Sequence, residues 1–75
     1  MKAKAQLEIE LTLREIEIVE LLWQELSADE IAFKLDISPR TVEAHRWNIR
    51  QKLRAKTTIG VIKQALKAGI INCKF

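Results

Sequence analysis

Residues 27–52, SADEIAFKLDISPRTVEAHRWNIRQK, leave a chain of this size few ways to fold. Ser27 stands three residues before Glu30, the reciprocal pair of a capping box, so a helix is predicted to begin at Ala28. Ala28, Ile31, Ala32 and Leu35 then fall at i, i+3, i+4 and i+7, one apolar stripe. Asp36 and Ile37 end that helix. Ser38 suits the cap of the next, and Pro39 occupies the first helical position, where a missing N–H is harmless. Proline also biases Ser38 away from helical dihedrals, as a cap requires. Two helices are thereby held apart by a turn of about three residues, the pattern of a helix-turn-helix. The exposed face of the second helix is basic, and the two features together point to DNA as the ligand.

Charge is unevenly placed along the chain. Residues 1–36 hold four Lys/Arg against nine Asp/Glu, and residues 37–75 hold nine Lys/Arg against Glu43 alone. The net charge of +3 conceals this split. Cations clustered around one helix gain from releasing the counterions of a phosphate backbone, whereas evenly solvated charges do not.

Length bounds the remainder. Seventy-five residues make one domain with a small core, room for three or four helices but little for an enclosed active site. With 48% apolar residues the chain is expected to be globular. No apolar run approaches the ~20 residues that span a bilayer, so no membrane is expected as partner. MKAKAQLEIE lacks the apolar stretch of a secretory signal. A single cysteine, Cys73, excludes an internal disulfide, and a cytoplasmic location follows most simply.

The predicted fold class is all-α with four helices, near 13–25, 28–35, 39–54 and 58–68. Residues 1–10 read as a tail or linker, 11–71 as the domain and 72–75 as a C-terminal tail. Leu7, Ile9 and Leu11 alternate and suit an extended lead-in. Thr12 with Glu15 forms a second capping box ahead of helix 1, whose core stripe is Ile18, Val19, Leu22 and Leu26. Val42, Ile49 and Leu53 point inward from helix 3, and Val61, Ile62, Ala65 and Leu66 form the apolar face of helix 4. Gly60 inside helix 4 costs about 1 kcal/mol relative to alanine, which suggests a close backbone approach. Gly69 followed by Ile70 suits a left-handed C-cap with an apolar clasp.

LTLREIEIVELL, SADEIAFKLDIS, PRTVEAHRWNIRQKL and IKQALKAGII together resemble the C-terminal helix-turn-helix of LuxR-type regulators, which include response regulators of the NarL and FixJ kind. The resemblance covers roughly residues 11–71. Its most specific pieces are LT-x-RE, EIA-x-x-L-x-IS and TVE-x-HR-x-NI-x-x-KL. It implies a four-helix, sequence-specific DNA-binding domain of a bacterial transcriptional regulator, with helix 3 in the major groove and a homodimer formed on DNA through helix 4. In that family the domain usually follows a receiver or sensing domain, and RNA polymerase is a further possible partner. Neither kind of domain precedes this segment, so the chain is expected to be either an excised effector domain or a stand-alone member. The family often has glycine at Glu25, which leaves helix 1 either longer than usual or closed by a different cap. It commonly has a polar residue at Ile16 and a small one at Trp23. Here Leu13, Ile16 and Trp23 recur on a second face. The simpler expectation is that Trp23 folds over the core; the other is a surface for a receiver domain or polymerase.

With Val42, Ile49 and Leu53 inward, Arg40, Glu43, Ala44, Trp47, Arg50 and Gln51 face out. Glu43, Ala44 and Trp47 match the family's base-reading positions. Glutamate can accept from cytosine N4, alanine can touch a thymine methyl, and tryptophan offers an N–H and a broad apolar face. Arg40, Thr41, Arg46, Arg50 and Lys52 suit phosphate oxygens, which position without specifying. Glu43 is also three residues from Arg46, so an ion pair that merely orients the arginine is an equal expectation. On helix 4, Ile59, Lys63 and Leu66 lie beside the inward face as a candidate dimer contact.

His45 has no cysteine or second histidine at ligand spacing and no nucleophile near it, so a half-buried, hydrogen-bonded histidine is expected. Neither a metal nor a cofactor is implied, and no feature supports an enzyme. Two alternatives share the residues: a sigma-factor region 4-like polymerase module, and an interaction module that has lost DNA binding. His45 and Asn48-Ile49 favour the LuxR-type reading over the first. Glu43 and the acidic helix 1 are the only support for the second.

Overall fold

Each helix begins on a hydroxyl. The structure, a computed structural model, describes residues 10–72. In it α1 (Leu13–Trp23) starts from Thr12, α2 (Ala28–Leu35) from Ser27, α3 (Pro39–Leu53) from Ser38 and α4 (Thr58–Lys67) from Thr57. All four capping residues are extended, and each hydroxyl accepts the N–H of the third helical residue. Both capping boxes close: Glu15 Oε1 accepts the Thr12 N–H at 2.9 Å, and Glu30 Oε1 the Ser27 N–H at 2.7 Å. Among the described residues there is no strand. The lead-in at Leu7 and Ile9, and Cys73, lie outside the described residues; Leu11 packs against the core.

The helices also end alike. Leu26, Ile37, Ala55 and Ile70 donate their N–H groups to the carbonyls of Leu21, Ala32, Arg50 and Ala65 at 3.1, 3.0, 2.9 and 2.9 Å. The residue before each donor is left-handed: Glu25 at φ 68°, Asp36 at 59°, Arg54 at 55° and Gly69 at 77°. This is the Schellman closure, and in every case the apolar residue that follows folds back onto the core. Only the one at Gly69-Ile70 carries the usual glycine.

Helix 1 is therefore shorter than its spacing predicts. It closes at Trp23, because Leu26 reaches the core by turning back after the helix rather than by continuing it. Glu25 takes the left-handed conformation without glycine, at a cost of about 1–2 kcal/mol for a residue with a Cβ. Glu25→Gly should relieve that strain and lose part of the gain to the freer unfolded chain. The expected net gain is about 0.5–1 kcal/mol, a rise of a few degrees in Tm. Asp36→Gly should gain less, since aspartate visits this region more readily. A lower Tm for Glu25→Gly than for the parent chain would show that position 25 is not strained.

The core lies where all four helices meet. Ile18, Val19, Leu21 and Leu22 come from α1, Ile31 and Ala32 from α2, Val42, Ile49 and Leu53 from α3, and Val61 and Ala65 from α4, with Ile71 closing one end. Leu21 joins the anticipated stripe because α1 is covered on a wider arc than one seam. Ile62, Leu66 and Trp23 are half-buried against this core, as the simpler expectation for Trp23 has it, while Leu13 stays exposed. A Cβ on Gly60 would meet the Ala55 Cβ at 3.2 Å, so the tight neighbour is a side chain of the turn between α3 and α4 and not the backbone expected, whose nearest atom, the Ala55 Cα, lies at 3.8 Å.

Candidate nucleic-acid interface

Two features aim α3. Ser38 accepts the Thr41 N–H at 3.1 Å, and the Thr41 and Ser38 hydroxyls lie 2.9 Å apart, so the first turn is fixed. Val42, Ile49 and Leu53 are then sunk in the core, which fixes the rotation of the helix about its axis. With 3.6 residues per turn, the opposite face must present Arg40, Glu43, Ala44, Trp47 and Gln51, and all five are exposed. Trp47 is 55% exposed, an unusual state for so large an apolar side chain. The half-buried Arg50 flanks this face.

The cations are not equivalent. Among the described residues Arg40 and Arg50 make no ion pair. Arg46 does: its Nη1 donates to Glu43 Oε2 at 3.2 Å and its Nη2 to Thr58 Oγ1 at 3.0 Å. The i,i+3 pair expected between Glu43 and Arg46 is thus present, and Thr58 on α4 is a partner with no sequence signal. Lys52 is also engaged, its Nζ 2.8 Å from Glu15 Oε1 on α1. For these two residues, expected to face phosphates, the structure shows an internal use of the charge.

Among the described residues, Glu15 is the one buried charged side chain. Burial pushes its pKa up, but the Lys52 hydrogen bond, the Thr12 N–H and the charges of Lys52 and His45 together outweigh that, and the net shift is downward. The carboxylate therefore stays ionised, capping α1 and tying it to the C-terminal part of α3. His45 is half-buried beside this site.

On α4, Ile59 and Lys63 are exposed and Leu66 is half-buried against the core. Ile59, Ile62 and Lys63 border an open groove of about 640 Å³, whose other wall includes Leu22, Trp23 and Leu26. No helix among the described residues is long and apolar enough to cross a membrane.

Comparison with known proteins places the chain in a family. The family described as bacterial regulatory proteins, luxR family, matches residues 10–65. The transcriptional regulatory protein FixJ of Rhizobium meliloti is 41% identical over 56 residues, covering 75% of this chain and 28% of that protein. The response regulatory protein YgeK of Escherichia coli is 44% identical over 61 residues, 81% of this chain and 42% of the other. The oxygen regulatory protein NreC of Staphylococcus carnosus is 40% identical over 62 residues, 83% of this chain and 29% of the other. A crystal structure of the response regulator ChrA, from a heme-sensing two-component system, superposes with a TM-score of 0.81 at 39% identity, over 83% of this chain and 31% of that one. The chain thus spans between 28% and 42% of the length of each of these relatives.

Proposed function

The chain belongs to the LuxR family of bacterial regulatory proteins and is a DNA-binding transcriptional-regulator domain; we propose that it reads its target by laying α3 in the major groove, as one half of a dimer on DNA. The observation that carries this reading is the face of α3. Arg40, Glu43 and Ala44 lie exposed in its N-terminal half and Trp47 just past its midpoint, opposite residues that are buried. In a helix lying in the groove, it is that half which meets base edges. Glu43, Ala44 and Trp47 are the proposed base readers. Arg40, Thr41 and Arg50 are the proposed phosphate contacts, since Arg46 and Lys52 have internal partners.

Dimerisation belongs to the same proposal. One helix-turn-helix makes few base contacts, and two copies on adjacent half-sites double them with matching two-fold symmetry. Ile59 and Lys63 on α4 offer the contact, with Leu66 behind them. The patch is too small for an obligate dimer, so DNA supplies the remaining stabilisation. A receiver domain in a longer parent chain and RNA polymerase are further partners proposed by likeness to the response regulators, and the cytoplasm, where DNA resides, is the proposed location. Enzymatic activity forms no part of the proposal.

A salt titration on random and selected duplexes tests it. Arg40→Ala and Arg50→Ala should each weaken all sequences alike and flatten the slope of log affinity against log salt by about one. Glu43→Ala and Trp47→Ala should instead change which sites are preferred, by about 1–3 kcal/mol for each base no longer read. Uniform weakening by all four variants across all sequences would overturn the division of roles.

A further inference from the structure

We propose that Arg46 is a positioning residue for base selection and not a phosphate contact: anchored on Thr58, it holds the Glu43 carboxylate in the orientation from which α3 reads a base. The inference rests on the reading above, in which Glu43 meets base edges. Its own ground is the geometry of one side chain. Arg46 reaches Glu43 Oε2 at 3.2 Å with one guanidinium nitrogen and Thr58 Oγ1 at 3.0 Å with the other. A surface i,i+3 ion pair alone restrains neither partner, because two long side chains must be held in one geometry. The bond to Thr58 removes that freedom from Arg46. Its planar fork is fixed at a second point, on a different helix.

Burial gives the direction of the effect. The Arg46 side chain is 24% exposed and that of Glu43 56% exposed, so the more buried, doubly bonded partner orients the freer one. Glu43 keeps Oε1 to accept from a base amino group such as cytosine N4. A carboxylate brought into a groove also faces the phosphates, and the Arg46 charge on Oε2 offsets that repulsion. Thr58 is the first residue of α4, not its cap, which is Thr57, so the anchor is separable from helix initiation.

Thr58→Val is the cleanest test, since it removes one neutral hydroxyl and no charge. Binding is measured on duplexes that vary one base pair at a time, at several salt concentrations. Glu43→Ala should flatten the preference at one base pair by about tenfold. Thr58→Val should flatten the preference at that same pair by at least about threefold. It should leave the salt slope and all other positions unchanged, and it should add nothing in a Glu43→Ala background. Arg46→Lys, which keeps the charge but not the fork, should behave as Thr58→Val does, and it decides the matter if Thr58→Val does not fold. Wild-type preference in the folded variants overturns the proposal, as does a flattened preference that persists without Glu43. So does an Arg46→Gln variant that leaves base preference unchanged and, in a Glu43→Ala background as well, binds every sequence equally more weakly with a slope lowered by about one, the signature of a phosphate contact. If Glu43→Ala itself changes no preference, the reading of α3 fails first, and that result is distinct from the others.

Discussion

Ile59→Glu is expected to abolish cooperative binding to a duplex with two half-sites while leaving the folded domain and its binding to a single half-site nearly intact. Ile59 is 73% exposed, so its removal leaves no cavity. It is the second residue of α4, where a carboxylate interacts favourably with the N-terminal end of the helix dipole, by about 0.3–1 kcal/mol. Lys63 lies one turn on, at i+4, and can pair with the new charge. Nothing in the monomer therefore resists the change. Across a two-fold contact the outcome differs, because the same patch appears on both sides and each copy would bring a glutamate into the apolar patch of the other. Coupling between sites is typically about 1–3 kcal/mol, or about 5–150-fold in affinity, and that factor should fall to one. Gel-shift titrations on duplexes carrying one or two half-sites measure it directly. Cooperativity that survives the substitution, or a variant that unfolds, would remove α4 as the dimer surface.

Helix starts and the rotation of α3 are legible in the sequence because both are local. A Ser or Thr with Glu three residues on, as ahead of α1 and α2, needs no tertiary information, and the i, i+7, i+11 spacing of Val42, Ile49 and Leu53 settles which side of α3 turns in. Helix ends are less legible. The signal for three of them is an apolar residue, Leu26, Ile37 or Ala55, placed just beyond a polar one, and without glycine that pattern does not stand out from ordinary sequence. The partners of Arg46 and Lys52 are harder still. Lys52 and Glu15 are 37 residues apart, and Arg46 and Thr58 are 12 apart, so only the packing of α1 and α4 against α3 brings them together. In the sequence Lys52 looks like one more cation on a basic helix, and Arg46 shows only its local partner, Glu43. That Glu15, a capping residue at the surface end of a helix, is buried by its neighbours is equally out of reach. Of the outward set, Arg40, Glu43, Ala44, Trp47 and Gln51 are exposed as their spacing predicts, being the complement of the buried stripe, whereas Arg50 is half-buried at its edge.

Lys52→Met should cost about 2 kcal/mol of stability, far more than Glu15→Gln, although the two substitutions cut the same ion pair. The asymmetry follows from burial. The Glu15 side chain is 5% exposed and that of Lys52 38% exposed. Without Lys52 a carboxylate is stranded in the core edge with only the Thr12 N–H to satisfy it, and an uncompensated buried charge costs about 3–5 kcal/mol when burial is complete. The exposure of the lysine lets water reach part of the site, which brings the figure down. Glu15→Gln strands nothing comparable. Glutamine can still complete the capping box, and the freed ammonium is already half in water, so about 0.5–1 kcal/mol is expected, the size of one net hydrogen bond. The double variant should therefore be more stable than Lys52→Met alone. Acidity supplies an independent check. In the parent chain the folded pKa of Glu15 lies below its ordinary value, so its contribution is present above about pH 4.3 and is lost as pH falls through the folded pKa. In Lys52→Met, burial acts with less opposition and the folded pKa should move up. The variant then gains stability relative to the parent as protonation relieves the stranded charge, and the difference between their unfolding free energies should narrow between neutral pH and about pH 4. A difference that stays constant over that range would show that Lys52 acts by packing its methylenes and not by holding the Glu15 charge.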